Sequence, residues 1–140
     1  MKKILVPIDG SEVSLRAVEF AKSMFQLQDK TITIFSVIPN SVNYYITNAE
    51  LLDQISEASS SKTEELLQNI VKGFEGLPGR VNYHYTMGDP AAEIIRFAED
   101  NDYDIIVMGS RGLGSISKTI LGSVSTKVLH RSKHTVVIVK

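Results

Sequence analysis

The chain predicts one α/β domain over residues 1–140, a doubly wound five-stranded parallel sheet with helices on both faces. Three observations carry this. Strand-like and helix-like segments alternate along the whole chain without an internal repeat, the pattern that places right-handed crossover helices over a parallel sheet. The segment Asp104-Ile105-Ile106-Val107-Met108 is apolar without alternation and rich in β-branched residues, as a strand buried on both faces must be. Helix starts carry their own chemistry: Ser11 stands before one apolar periodic run, and Asp89-Pro90 before another.

Each element follows in order. Residues 2–9 read as the first strand, and Ser11 caps a helix through about Gln28, with Val13, Ala17, Phe20, Ala21 and Met24 at helical spacing. Residues 31–38 form the second strand, and a polar and aromatic excursion over 39–45 follows. A long helix then runs from about Asn48 to Phe74, with Leu51, Leu52, Ile55, Ala58, Leu66, Leu67, Ile70, Val71 and Phe74 on its inner side. Ser59-Ser60-Ser61 is its weakest stretch. Gly73, Pro78 and Gly79 stop it. Residues 80–87 alternate Val81, Tyr83 and Tyr85 against Asn82, His84 and Thr86, so the third strand has one less buried face. Asp89 caps a helix to about Asn101, residues 104–108 are the fourth strand, a helix starts at Gly122, and a fifth strand starts at Thr135.

Composition bounds the function. With 43% hydrophobic and 22% charged residues, the chain matches one ordinary globular domain, and its length can bury roughly two-thirds of the unfolded surface. Fifteen Lys and Arg against 16 Asp and Glu leave a net charge of −1, which offers no electrostatic case for nucleic acid or an anionic membrane. Any phosphate site must therefore be local. The absence of Cys excludes disulfides, thiolate metal sites and a cysteine nucleophile. The basic start Met1-Lys2-Lys3 leads into an apolar stretch too short for a signal peptide and interrupted by Pro7 and Asp9, and no run approaches the roughly 20 apolar residues a bilayer needs. A cytoplasmic protein is expected.

The chemistry concentrates in Gly109-Ser110-Arg111-Gly112 and, after nine residues, Gly122-Ser123. A glycine-rich turn that leaves the carboxyl end of a strand lets backbone N–H groups approach a phosphate. The helix beginning at Gly122 offers unpaired first-turn N–H groups and the positive end of its dipole, with the Ser123 and Ser125 hydroxyls as further donors. Together the two halves form a triphosphate cradle. Two familiar motifs fail on the same stretch: Ser117-Lys118-Thr119 lacks the glycine of a Walker A loop, and a dinucleotide fingerprint begun at Gly112 and Gly114 breaks at Ser117. His130 and His134 lie four apart, but Ser132-Lys133 ends the helix between them and no third metal ligand is evident. His84 stands alone, and no Ser, His and Asp are arranged as a triad.

The arrangement G-x-x-G, nine residues, G-S resembles the nucleotide loop of the universal stress protein family. Ile4-Leu5-Val6-Pro7-Ile8-Asp9-Gly10-Ser11-Glu12 resembles that family's first strand and turn, and Met87-Gly88-Asp89-Pro90 and Val136-Val137-Ile138-Val139 agree further along. The resemblance implies strand order 3-2-1-4-5, an adenine nucleotide alpha-hydrolase-like fold. That order makes the carboxyl ends of strands one and four neighbours at a topological switch, with Asp9 facing the glycine loop. A carboxylate there accepts from ribose hydroxyls or holds a divalent cation; alternatively Asp9 starts a turn and caps the helix. The resemblance further implies that Val37 meets the adenine through its backbone and that Pro7 and Met108 wall the base. Gly109, Arg111, Gly112, Gly122, Ser123, Val124 and Ser125 would wrap the phosphates and ribose. Taken without the family, Pro7, Val37 and Met108 read as core residues.

The expected function is a nucleotide-dependent stress-response module that binds ATP, with Mg²⁺, at the carboxyl ends of strands one and four. A slow Mg²⁺-dependent ATPase and a nucleotide-free dimerisation module remain alternatives. Thr135-Val136-Val137-Ile138-Val139 is apolar on both faces and lies at the sheet edge in this order, flanked by Lys133 and Lys140, so a homodimer through this strand is expected.

Overall fold

The computed structural model describes residues 3–25, 30–40, 48–112 and 121–140. Nine elements follow one another: β1 (Lys3–Ile8), α1 (Glu12–Phe25), β2 (Thr31–Pro39), α2 (Ala49–Lys72), β3 (Arg80–Gly88), α3 (Pro90–Asp100), β4 (Ile105–Gly109), α4 (Ser123–Arg131) and β5 (Thr135–Val139). The sheet has the order β3-β2-β1-β4-β5, and every neighbouring pair is parallel. The fold class and strand order match the sequence expectation. Lys2, the end of the first helix near Gln28 and the excursion beyond Asn40 lie outside the described residues.

Local chemistry sets most boundaries. Ser11 Oγ accepts from the Ser14 amide at 3.2 Å, Asn48 Oδ1 from the Leu51 amide at 3.2 Å, and Asp89 Oδ2 from the Ala92 amide at 3.0 Å. Each occupies a first-turn N–H that the helix cannot pair itself. Gly73 ends α2 while still right-handed, and the chain reverses at Gly76 and Gly79, whose φ values of 83° and 108° suit glycine.

Two apolar layers flank the sheet. Ile4, Val6, Ile32, Ile34 and Val107 pack against Ala17, Val18 and Ala21 of α1 and Leu67 of α2. Leu5, Phe35, Ile106 and Met108 pack on the opposite face with Ala91, Ile94 and Ala98 of α3 and Val128 of α4. β3 is an edge strand, which explains its alternation: Val81, Tyr83 and Tyr85 are half-buried against the first layer, while Asn82 and His84 are exposed. His84 nonetheless lays its ring on Phe97, with centroids 4.9 Å apart. In the second layer the Tyr103 hydroxyl donates to Thr33 Oγ1 at 2.6 Å, and burial pushes its phenol pKa up against that hydrogen bond.

Three apolar helix positions depart from expectation. Phe20 of α1 is 43% exposed while Val18 is buried, and in α2 Leu51 is 45% exposed and Ala58 is also exposed. α2 has 24 residues, a length of about 36 Å at the usual rise, and it packs on β2 and β3. A crossover helix runs back along the sheet from the carboxyl edge, so its first turns stand above that edge and only the later ones reach the core. Among the described residues no helix is long and apolar enough to cross a membrane.

Candidate nucleotide site

β1 and β4 pair side by side, Ile4 with Ile105 and Leu5 with Ile106, although about a hundred residues separate them in the chain. Their carboxyl ends open into a cavity of about 540 Å³, within the usual range for a small-molecule site. All eleven residues expected at the site line it: Pro7, Asp9, Val37, Met108, Gly109, Arg111, Gly112, Gly122, Ser123, Val124 and Ser125. Pro7 is the last-but-one residue of β1, Val37 comes from β2 and Met108 from β4, so three adjacent strands bring these side chains together. With Phe35 and Ile94 they make an apolar wall continuous with the second core layer.

The polar side is built around the glycine turn. The Ser110 amide donates to the Val139 carbonyl at 2.8 Å, tying the turn to β5. The Ser110 carbonyl accepts twice, from the Gly122 amide at 2.7 Å and from Ser125 Oγ at 2.8 Å. Ser110 is thus the clasp that holds the two halves of the glycine motif together across residues 113–120, which lie outside the described residues. Ser125 Oγ also reaches the Gly122 carbonyl at 3.0 Å. The Ser125 hydroxyl, expected as an anion donor, here donates within the loop, and so does the Gly122 amide.

Each motif glycine is demanded by a different neighbour. A Cβ on Gly109 would lie 2.9 Å from Val13 Cγ1 and 3.0 Å from the Val13 carbonyl carbon. A Cβ on Gly112 would collide with Asp9 Oδ2, and one on Gly122 would sit 3.1 Å from the Arg111 Cα. Asp9 Oδ1 accepts from the Ser11 amide at 2.9 Å, so Asp9 shapes the turn before α1 and lines the cavity at once.

α4 differs from the other three helices at its start. Gly122 provides no side-chain cap, while Ser123 and Val124 of the first turn line the cavity. Arg111 stands half-buried beside them and forms neither of the ion pairs found among the described residues, Glu12–Arg16 and Glu93–Arg96. The cavity thus combines an apolar slot with a helix dipole and a guanidinium, which suits a flat apolar ring bearing an anionic tail.

Sequence reasoning missed part of the lining. Ser36 of β2 and Ser59, Lys62 and Thr63 of α2 also face the cavity. The serine run at 59–61 was a signal, since it interrupts an apolar stripe, yet only the crossover places Ser59 over the cleft. Among the described residues no group of three or more His, Asp and Glu could hold a metal ion. α4 ends at Arg131 with Ser132 as its cap, and His134 Nδ1 lies 3.2 Å from Ser132 Oγ, so His130 and His134 do not share a helix face.

Universal stress protein MJ0531 of Methanocaldococcus jannaschii is 32% identical over 139 residues, covering 99% of this chain and 82% of the relative. The solved structure of MJ0577, a protein of the same organism, superposes with a TM-score of 0.90 at 30% identity, covering 99% of this chain and 95% of that one. A universal stress protein solved in complex with cAMP shares the fold, with a TM-score of 0.73 at 23% identity and coverage of 99% of this chain and 95% of its own. A sequence profile of the universal stress protein family matches residues 1–140, and the chain belongs to that family.

Proposed function

We propose that this single domain is a cytoplasmic module that binds ATP in the cavity at the carboxyl ends of β1 and β4 and changes its interactions with nucleotide state. The observation that carries the reading is the convergence of eleven sequence-selected residues from four elements and their loops on one cavity. Pro7, Val37 and Met108 supply the apolar slot for the adenine. Asp9 is placed to accept from the ribose hydroxyls or to hold Mg²⁺ bound with the nucleotide. The glycine turn, Arg111 and the uncapped first turn of α4 receive the phosphates through backbone amides and charge. A slow hydrolysis would rest on Asp9 and the cation.

The glycine motif is tested at Gly122. The two carbons that branch from a valine Cβ there would press on Arg111 and Gly112 and part the clasp at Ser110. Calorimetric titration of Gly122→Val is expected to show ATP affinity reduced about tenfold or more, equivalent to about 1.4 kcal/mol, with cooperative unfolding retained. A folded variant that binds ATP as tightly as the wild type would remove the site from this loop.

Asp9 is tested by two substitutions. Asp9→Ala deletes the acceptor of the Ser11 amide and is expected to cost about 1 kcal/mol of stability, whereas Asp9→Asn retains that acceptor. If Asp9 acts through a cation, both variants lose the Mg²⁺-dependent part of ATP affinity; if it acts on ribose, the loss is the same without Mg²⁺. Unchanged affinity of both variants in both conditions would leave Asp9 with the turn alone.

A further inference from the structure

The inner stripe of α2 changes chemistry halfway along. Leu52 and Ile55 are half-buried above, and Leu66, Leu67, Ile70 and Val71 pack into the core below. Helical spacing carries the same face through Ser59, Lys62 and Thr63, and these are the α2 residues that line the cavity. An amphipathic crossover helix ordinarily continues its apolar stripe, because each Leu or Ile added there removes apolar surface from water. Here the stripe becomes hydroxyl and ammonium for about one turn and then reverts. A polar wall of this kind matches a polar occupant of the space it faces.

The charges on the cavity wall point the same way. Among the described residues, the cationic side chains on this wall are Arg111, from the turn after β4, and Lys62, from α2, and the carboxylate is Asp9. Lys62, like Arg111, belongs to neither ion pair found among the described residues. The two cations therefore reach one cavity from separate elements, one on a strand-end turn and one on a helix that overhangs it.

On the reading of this cavity as a nucleotide site, we infer that Lys62 is a second phosphate-charge determinant, with Ser59 and Thr63 as flanking hydroxyls. It acts from α2, outside the glycine motif. A lysine suits this work because its ammonium is a point charge on a flexible stem and attracts phosphate oxygens without demanding one geometry. Lys62 is exposed, so its attraction works through solvent and is moderate and sensitive to salt.

The test is a ladder of ATP, ADP, AMP and adenosine titrated calorimetrically into the wild type, Lys62→Met and Lys62→Arg. Methionine keeps most of the stem and removes the charge. The expected result is an ATP affinity lower on the order of fivefold in Lys62→Met, a deficit that shrinks with each phosphate removed, vanishes for adenosine, narrows at about 1 M salt and is absent in Lys62→Arg. Equal ATP affinity in Lys62→Met and the wild type would overturn the inference, as would an equal deficit for ATP and adenosine, which would mean lost packing. A wild-type chain that binds none of the four ligands would overturn the reading of the cavity and this inference with it.

Discussion

Replacing Gly109 with alanine is expected to destabilise the protein by about 2–3 kcal/mol, the upper part of the usual range for forcing an extra carbon into a packed core. The added Cβ would stand 2.9 Å from Val13 Cγ1, 3.0 Å from the Val13 carbonyl carbon and 3.1 Å from the Ser14 amide nitrogen. A side chain can rotate away, but two of these three atoms are backbone in the first turn of α1 and cannot yield without moving the helix. Gly109 and Val13 are both buried, so no solvent-side relaxation is open to them. Because a domain of this size is stable by only about 5–15 kcal/mol, the loss is a large fraction of the total. Urea unfolding should show a lower midpoint with an unchanged slope. A midpoint shifted by less than about 0.5 kcal/mol, the scatter of ordinary surface changes, would mean that α1 and β4 are not in such close contact. The result separates two roles of one motif: Gly109 is needed to bring α1 onto the sheet, whatever the turn does for a ligand.

The wild-type chain is expected to be a homodimer at micromolar concentration through β5, and Ile138→Pro is expected to render it monomeric. β5 lies at the sheet edge beyond β4, and Val136, Val137, Ile138 and Val139 all remain half-buried rather than buried. An apolar edge with one row of unpaired backbone groups templates a second strand, and antiparallel pairing about a two-fold axis satisfies both copies. The direction of the backbone decides which residue to change. The Val139 carbonyl accepts from the Ser110 amide after β4, so Val139 turns its polar groups inward, and Val137 shares that direction by the alternation of an extended strand. Proline at Val137 would therefore cut a bond to β4 and weaken the sheet itself. Val136 and Ile138 point their amides outward, and a proline at Ile138 removes a donor only the partner would use. Ile138→Ala controls for lost packing in the second core layer and should remain dimeric. Sedimentation velocity gives the answer: a monomeric wild type, or a folded Ile138→Pro variant that still dimerises, would refute this interface.

The sequence alone determined nine elements and their order along the chain. It could do so because hydrophobic period and capping are local: Ser11, Asn48 and Asp89 act on amides three residues away, and strands such as β4 declare themselves by composition. The strand order came from the resemblance, and with it the meeting of Asp9 and the glycine turn. Only the tertiary structure decided what each glycine is for. Gly109 admits α1, Gly112 admits the Asp9 carboxylate, and Gly122 admits the backbone at Arg111. It also decided that Ser110 clasps the motif, that the Ser125 hydroxyl is spent inside the loop, and that Phe20 faces solvent although its spacing placed it inward. Lys62 over the cleft belongs with these. Such facts rest on distances between residues far apart in the chain, set when helices settle on a twisted sheet to close packing, and neither periodicity nor a motif encodes which atom arrives at which neighbour.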